Sequence, residues 1–241
     1  MLNRLIESLV DLAVEEDIGD GDHTSLACIP AEASGKAQLL VKQEGILAGV
    51  DIAEMIFYKL DPEINFHKYI DDGSEVSPGD IAFLVSGKIM TLLKTERLVL
   101  NIMQRMSGIA TQTHQHVEEL KGLTTKVLDT RKTTPGMRLF DKLAVKLGGG
   151  ENHRIGLFDM IMIKDNHIDF AGGIENAILR TKEYLAKNKK KLKIEVEARN
   201  IDDVKTILLV GGIDCIMLDN FTLKETREAV QLINGKVKTE S

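Results

Sequence analysis

Basic side chains are concentrated in one stretch of a chain that is acidic overall. Arg131 and Lys132 stand at the start of this stretch, and His153 and Arg154 stand at its end. Planar guanidinium groups pair two-to-two with carboxylates and phosphates, and the glycine triplet at 148–150 lets backbone approach a ligand closely. The pattern indicates a site for a ligand with several negative charges.

Ionisable residues also follow successive apolar runs in the second half of the chain. Lys164 follows MIMI, Glu197 follows KIEV and Asp219 follows CIML, while the run TKVLD precedes Thr130 and Arg131. If these runs are parallel strands, their carboxyl ends meet at the face where α/β enzymes place their active sites. Two carboxylates opposite lysines and arginines suit a sugar diol, or magnesium held by a diphosphate. A solvated rim is the alternative for each position alone, and the coincidence at four strand ends disfavours it.

The order of the predicted elements changes near residue 121. Apolar residues three and four apart predict an opening helix, and strands and helices then mix, in α+β order, before one long helix that links two domains. Beyond that helix, short apolar runs alternate with helical periodicity. This alternation predicts parallel strands with crossover helices, either an α/β barrel or a doubly wound sheet.

The second domain is expected to be incomplete. Five predicted strands are too few for the usual eight-stranded barrel, and the last of them, KV, lies shortly before Ser241. In the first domain, the segment DGSEVSPGDIAFLVSG matches the turn-and-strand pattern of lipoyl-type sandwich domains. It lacks the lysine to which such carriers attach their cofactor, so we expect a structural role for it.

The composition excludes several classes of protein. The chain has 43% hydrophobic residues and a net charge of −6, which indicates a folded protein and argues against binding to nucleic acid or an anionic membrane. No run reaches the ~18 apolar residues of a membrane-spanning helix, and the acidic start does not resemble a signal peptide, so a cytoplasmic location is expected. The common phosphate-loop, dinucleotide-binding, serine-hydrolase and HExxH motifs are missing from the sequence.

Six strings in sequence order resemble the quinolinate phosphoribosyltransferase family: TERLVLNIMQRMSGIAT, DTRKTTPGMR, KLAVKLGGGENHR, IMIKDNH, IEVEA and IMLDN. The resemblance implies an α/β fold with an N-terminal α+β sandwich domain over residues 1–105, followed by an incomplete, TIM-like α/β barrel over residues 106–241. It also implies an enzyme that transfers phosphoribosyl from phosphoribosyl pyrophosphate to quinolinate with magnesium. The implied products are nicotinate mononucleotide, diphosphate and carbon dioxide.

The resemblance implies how quinolinate is bound. Its carboxylates are expected to meet Arg131, His153 and Arg154, and Lys132 is expected to lie between the two substrates. A cluster of cations of this kind directs the ring nitrogen toward the sugar carbon. Decarboxylation then leaves electron density on a ring carbon beside the newly cationic nitrogen, which stabilises it.

The resemblance places a second group of residues near the ribose and the diphosphate. These are Lys164, Glu197 and Asp219, and together with Lys132 they are the expected catalytic residues. Departure of diphosphate leaves positive charge on the ribose, which carboxylates stabilise. Magnesium is expected to be held mainly by the substrate, near Glu197 and Asp219. Arg97 matches an arginine that family members lend to the neighbouring subunit, which implies a homodimer.

Two alternatives stay open at this point. The family's groups for the ribose 5-phosphate are expected beyond Ser241, so a truncated, non-catalytic dimer that binds carboxylates is one alternative. A related phosphoribosyltransferase-like protein linked to molybdate transport is the other, because it shares TRKTTPG-like and glycine-triplet strings. The intact KDNH segment favours the quinolinate family over the second alternative.

Overall fold

The computed structural model describes residues 2–241, with side chains from Arg4 onward. Contacts divide the chain into two compact units, one up to His153 and one from Arg154 to Ser241. The first unit therefore includes residues 106–153, which the sequence analysis placed in the second domain. No helix among the described residues is long and apolar enough to cross a membrane.

The described part of the first unit contains five helices and five strands. They are, in chain order, α1 (Leu2–Ile18), α2 (His23–Cys28), β1 (Ser34–Leu40), β2 (Gly45–Ile46), α3 (Val50–Leu60), β3 (Asn65–Lys68), β4 (Glu75–Val76), β5 (Ile81–Lys88), α4 (Ile89–Glu119) and α5 (Arg138–Leu147). Strand β5 lies between β1 and β3 in an antiparallel sheet, and β2 pairs with β4. This order confirms the predicted mixture of strands and helices before the long helix.

Three aromatic rings lie at the centre of the first unit's core. Phe57 on α3 lies 5.9 Å from Phe66 on β3 and 6.3 Å from Phe83 on β5, measured between ring centroids. Tilted and edge-on rings attract each other beyond the area that they bury. Ile102 and Met106 on α4 are buried in the same core, so the long helix packs on this domain along its apolar face.

Helix α4 continues without interruption through Ser107 and Gly108. The Ser107 hydroxyl accepts a hydrogen bond of 2.9 Å from the backbone N–H of Ala48. One turn further on, the Thr111 hydroxyl accepts a 2.9 Å bond from the N–H of Ile46 in β2. These polar side chains bond to another segment of the chain, which is why they do not interrupt the helix.

The prediction of a strand at TKVLD is wrong. Between α4 and α5 the chain forms a single parallel bridge, which pairs Leu128 with Glu151. The N–H of Asp129 donates to the Glu151 carbonyl at 3.2 Å, and the N–H of Glu151 donates to the Val127 carbonyl at 2.8 Å. Among the described residues this bridge is the pairing that the segment makes, so it does not form a strand.

The second unit is a parallel sheet with connecting helices. Its elements are β6 (Ile161–Ile163), α6 (Asp165–Ala171), α7 (Ile174–Lys187), β7 (Ile194–Ala198), α8 (Ile201–Val210), β8 (Cys215–Leu218), α9 (Leu223–Ile233) and β9 (Lys238–Glu240). The strand order β6-β7-β8-β9 confirms the predicted parallel strands with crossover helices. Helix α6 was not predicted, and the last strand starts at Lys238, just after the predicted KV.

One face of this parallel sheet is apolar, and the other is mixed and carries two carboxylates. Ile163, Val196 and Ile216 are in register on adjacent strands and are buried in the core of the second unit. Glu195 and Glu197 flank Val196, and successive strand residues point to opposite faces, so both carboxylates lie on the other face. The architecture is a mixed α/β fold, as the sequence analysis expected at that level of detail.

Candidate functional site

In the first unit, the basic residues Arg131 and Lys132 follow the bridge between Leu128 and Glu151. Arg131 is half-buried, and its Nε is buried with no hydrogen-bond partner among the described residues. Lys132 is exposed, and its backbone N–H donates to the Thr130 hydroxyl at 3.0 Å. A buried guanidinium nitrogen without a partner is costly, so this position favours a ligand that accepts hydrogen bonds.

Arg138, at the start of α5, braces the loop that bears Arg131. Its Nη2 donates to the Arg131 carbonyl at 3.3 Å, and its Nε donates to the Thr133 hydroxyl at 3.1 Å. These two bonds connect Arg138 to the loop backbone and to a neighbouring hydroxyl. Its role here is to hold the conformation of the loop.

Arg105 on α4 anchors the same loop from the other side. Its Nε and Nη2 bond to the two carboxylate oxygens of Asp141 at 2.7 and 2.8 Å, and Nη2 also donates to the Thr134 hydroxyl at 2.9 Å. The Asp141 carboxylate raises the pKa of Arg105 above its usual value. Two-point pairing of this kind fixes orientation as well as distance.

A buried ion pair lies behind the loop. Lys142 on α5 and Asp129 form it, and their side chains are 4% and 6% exposed. The Asn152 amide donates to Asp129 Oδ2 at 2.6 Å, and the N–H of His153 donates to Asp129 Oδ1 at 2.9 Å. The sequence did not predict these roles for Asp129, Lys142 and Asn152, because local spacing does not show that a charge is buried.

The glycine triplet packs against the protein itself. A Cβ at Gly148 would lie 2.3 Å from the carbonyl oxygen of Ala110 on α4, and one at Gly150 would lie 2.8 Å from Val145 Cγ1. Both distances are far too short for carbon contacts. Gly148 and Gly150 are therefore required for close helix packing, and Gly149, with φ of +91°, is the exposed member of the triplet.

In the second unit, Lys164 and Glu197 come together at the ends of adjacent strands. Lys164 Nζ lies 3.5 Å from Glu197 Oε1, and the two side chains are 43% and 9% exposed. Lys164 also precedes α6, and its backbone N–H donates to His167 Nδ1 at 2.9 Å. A carboxylate that is nearly buried thus faces a lysine that is still accessible to a ligand.

Asp219 lies directly after β8, the strand next to β7. Glu197 is in register with Met217, so Asp219, two residues further on, belongs to the same side as Glu197. The Asp219 N–H donates to the Ala198 carbonyl at 3.0 Å, and the Asn220 amide donates to Asp219 Oδ2 at 2.9 Å. Asn220 has φ of +56°, a conformation that asparagine tolerates better than most residues.

The remaining site candidates lie elsewhere within their own units. Arg97 is exposed on α4, between exposed Glu96 and buried Leu98. Arg154 belongs to the second unit, where its Nη2 lies 3.3 Å from Met162 Sδ. The structure thus brings Lys164 and Glu197 into direct contact and places Asp219 directly after the neighbouring strand.

Two family models match the chain. The model of the quinolinate phosphoribosyl transferase N-terminal domain matches residues 22–107, and the model of the C-terminal domain matches residues 109–241. Together they span nearly all of the chain, and they meet within the long helix α4.

Known proteins of this kind match over nearly the full chain. A quinolinate phosphoribosyltransferase [decarboxylating] from Nicotiana tabacum is 44% identical over 98% of this chain and 71% of its own length. NadC from Streptococcus pyogenes matches with a TM-score of 0.90 and 36% identity, over 97% of this chain and 81% of its own. Nicotinate-nucleotide pyrophosphorylase from Francisella tularensis matches with a TM-score of 0.90 and 37% identity, over 98% and 82%. On this evidence, the chain belongs to the quinolinate phosphoribosyltransferase family.

Proposed function

We propose that this protein transfers phosphoribosyl from phosphoribosyl pyrophosphate to quinolinate and releases carbon dioxide, giving nicotinate mononucleotide and diphosphate. The observation that supports this proposal most directly is the buried Nε of Arg131, which has no hydrogen-bond partner among the described residues. A carboxylate of quinolinate supplies the missing acceptor and the opposite charge. The names of the relatives agree with this reaction.

The proposal assigns the pyridine dicarboxylate to the basic residues. Arg131, His153 and Arg154 bind its carboxylates, and Lys132 lies beside the phosphoribosyl donor. The ring nitrogen then forms a bond to the ribose C1 while the C1–O bond to diphosphate breaks. Loss of carbon dioxide leaves an electron pair on the ring carbon beside the cationic nitrogen, and that carbon takes up a proton.

The ribose and diphosphate are assigned to the strand ends of the second unit. Lys164 is 43% exposed while it faces Glu197, so its ammonium remains accessible to a diphosphate oxygen. Glu197 and Asp219 accept hydrogen bonds from the ribose hydroxyls. Their charge stabilises the positive charge that develops on the sugar as diphosphate leaves.

Magnesium fits the donors of this region. Glu197 and Asp219 offer carboxylate oxygens, the ligand type that magnesium prefers. Lys164 already offsets part of the Glu197 charge, so we assign most of the magnesium coordination to the diphosphate. Bound magnesium supplies positive charge that stabilises the leaving diphosphate.

The proposal has three further parts. The parallel strand order β6-β7-β8-β9 supports assignment of this sheet to an incomplete α/β barrel. We place the domain boundary between residues 105 and 106, near the point where the family-model ranges 22–107 and 109–241 meet. The exposure of Arg97 supports a homodimer in which Arg97 reaches the partner's site. A cytoplasmic location also stays a prediction.

A substrate comparison tests the proposed reaction. The protein is incubated with phosphoribosyl pyrophosphate, magnesium and either quinolinate or nicotinate, and the mononucleotide and carbon dioxide are measured. We expect product from quinolinate alone, with mononucleotide and carbon dioxide in equal amounts. Transfer to another base supports the molybdate-linked alternative, and quinolinate binding without turnover supports the non-catalytic alternative.

A further inference from the structure

The buried ion pair of Asp129 and Lys142 binds both backbone groups of His153. Asp129 Oδ1 accepts the His153 N–H at 2.9 Å, and Lys142 Nζ donates to the His153 carbonyl at 3.1 Å. A residue held at both its N–H and its carbonyl has little freedom in φ and ψ. The direction in which the His153 side chain leaves the backbone is therefore set by two residues that are nearly buried.

Asn152 completes this arrangement. Its amide donates to Asp129 Oδ2 at 2.6 Å and to the Lys142 carbonyl at 2.8 Å. Both oxygens of the Asp129 carboxylate consequently have partners, which a buried charge requires. The three side chains form one connected network, and such networks restrain their members more than isolated bonds do.

The same network also reaches the segment that bears Arg131. Asp129 lies two residues before Arg131, and the parallel bridge between Leu128 and Glu151 aligns the two segments so that Arg131 and His153 follow it at the same end. A single carboxylate therefore links the backbone of both segments. Their separation is controlled at Asp129.

We propose that Asp129, Lys142 and Asn152 are positioning residues that set the spacing of Arg131 and His153 to match the two carboxylates of one aromatic ring. This inference rests on the proposed function. The three residues act through the backbone and do not touch the substrate. Misplacement of a binding group by about 1 Å costs roughly 100-fold in rate, so a rigid network of this kind has a measurable effect.

Substitution of Asn152 provides the main test. Asn152→Ala removes two hydrogen bonds without leaving a buried lysine or aspartate alone, so the protein is expected to fold. We expect the KM for quinolinate and its calorimetric Kd to rise about tenfold, while the KM for phosphoribosyl pyrophosphate changes less than about twofold. A role in stability alone lowers the folded fraction and hence kcat, and leaves both KM values unchanged.

Lys142→Met and a core control complete the experiment. Lys142→Met is expected to raise the KM for quinolinate further than Asn152→Ala does. The folded fraction of each variant is measured so that a loss of folded protein is not counted as a loss of activity. Ile56→Val, a fully buried position on α3 remote in sequence from the network, is the control for lowered stability. We expect it to leave both KM values at the parental level.

The outcomes separate the two proposals. A parent protein that does not convert quinolinate overturns the proposed function and this inference with it. An active parent, together with unchanged quinolinate KM and Kd in both Asn152→Ala and Lys142→Met, overturns the positioning role and leaves the proposed function intact. An equal rise in the KM of both substrates also overturns it, because the network is then not specific to the quinolinate side.

Discussion

The two units each contain a lysine–carboxylate pair, and the pairs differ in what surrounds them. Lys142 and Asp129 in the first unit are 4% and 6% exposed, and further bonds come from Asn152 and His153. Lys164 in the second unit is 43% exposed and lies 3.5 Å from Glu197. We call Lys142–Asp129 the closed pair, because its hydrogen-bond partners lie within the protein. We call Lys164–Glu197 the open pair, because its lysine keeps a charge that is accessible to a ligand.

This difference in burial changes how much each pair is expected to contribute to stability. Removal of one member of a buried pair leaves the other charge without a partner, which typically costs about 3–5 kcal/mol. A pair with an exposed lysine contributes about 0–1 kcal/mol, because water and salt screen it. We therefore expect loss of the closed pair to lower stability as well as quinolinate binding, and loss of the open pair to lower activity with little effect on stability.

Removal of magnesium is expected to have the largest effect, and it separates the two regions. With a chelator present, phosphoribosyl transfer is expected to stop completely, because the diphosphate charge is no longer neutralised. Quinolinate binding, assigned to the basic residues, is expected to persist. Calorimetry with and without chelator measures this, with magnesium added back as the control. Loss of quinolinate binding on chelation contradicts the division between the regions.

Lys142→Met tests the closed pair. We expect the free energy of unfolding to fall by about 3–5 kcal/mol, because the buried Asp129 carboxylate is left without an opposite charge. Urea denaturation followed by circular dichroism measures the loss. Lys205→Met, which removes the exposed pair with Asp202, is the matched control and is expected to unfold like the parent. Equal stability of Lys142→Met and the parent contradicts the assignment of a closed pair.

Arg131→Ala tests a functional charge in the same unit as the closed pair. We expect kcat/KM for quinolinate to fall roughly 30- to 1000-fold, because a carboxylate loses its guanidinium partner. This corresponds to a loss of about 2–4 kcal/mol of transition-state stabilisation. Thermal stability is expected to change little, since no protein partner of Nε is lost. Arg227→Ala, an exposed arginine on α9, is the control. Turnover within a few fold of the parent shows that Arg131 does not bind substrate.

Glu197→Gln tests the open pair. The substitution keeps the shape of the side chain and removes its charge. We therefore expect kcat to fall by a factor that corresponds to a loss of about 1–3 kcal/mol of transition-state stabilisation. The free energy of unfolding is expected to change by less than about 1 kcal/mol, because Lys164 is partly hydrated. Steady-state kinetics and urea denaturation on one preparation compare the two quantities. A loss of stability without a loss of kcat assigns this pair a structural role instead.

Mixed dimers test the contribution of Arg97, with the smallest expected signal. Arg97→Ala and Lys164→Ala chains are each expected to be inactive, and a mixture is expected to recover about a quarter of the parental activity. Random pairing makes half of the dimers mixed, and each mixed dimer has one intact site of two. Native mass spectrometry verifies subunit exchange. Without recovery under exchange, Arg97 does not act in the partner's site.

Several features could be predicted from local sequence. The helices α4, α5, α7, α8 and α9 and the strands β6, β7 and β8 follow from apolar spacing, because periodicity reports which side of an element is buried. The strand ends at Lys164, Glu197 and Asp219 follow from the same patterns. Helix α6 was missed because it is seven residues long and begins with the polar segment DNH.

Other features were decided by contacts between distant segments. The sequence predicts a strand at TKVLD, but the segment forms a single bridge. Its carboxylate, Asp129, bonds to Lys142, to the side-chain amide of Asn152 and to the backbone N–H of His153. The glycine triplet resembles a ligand loop, but Gly148 is required by the carbonyl of Ala110. The sequence by itself determined the family, most of the helices and parallel strands, and the candidate charges. The tertiary structure decided which charges are closed and which are open, because burial and pairing depend on segments that local spacing does not relate.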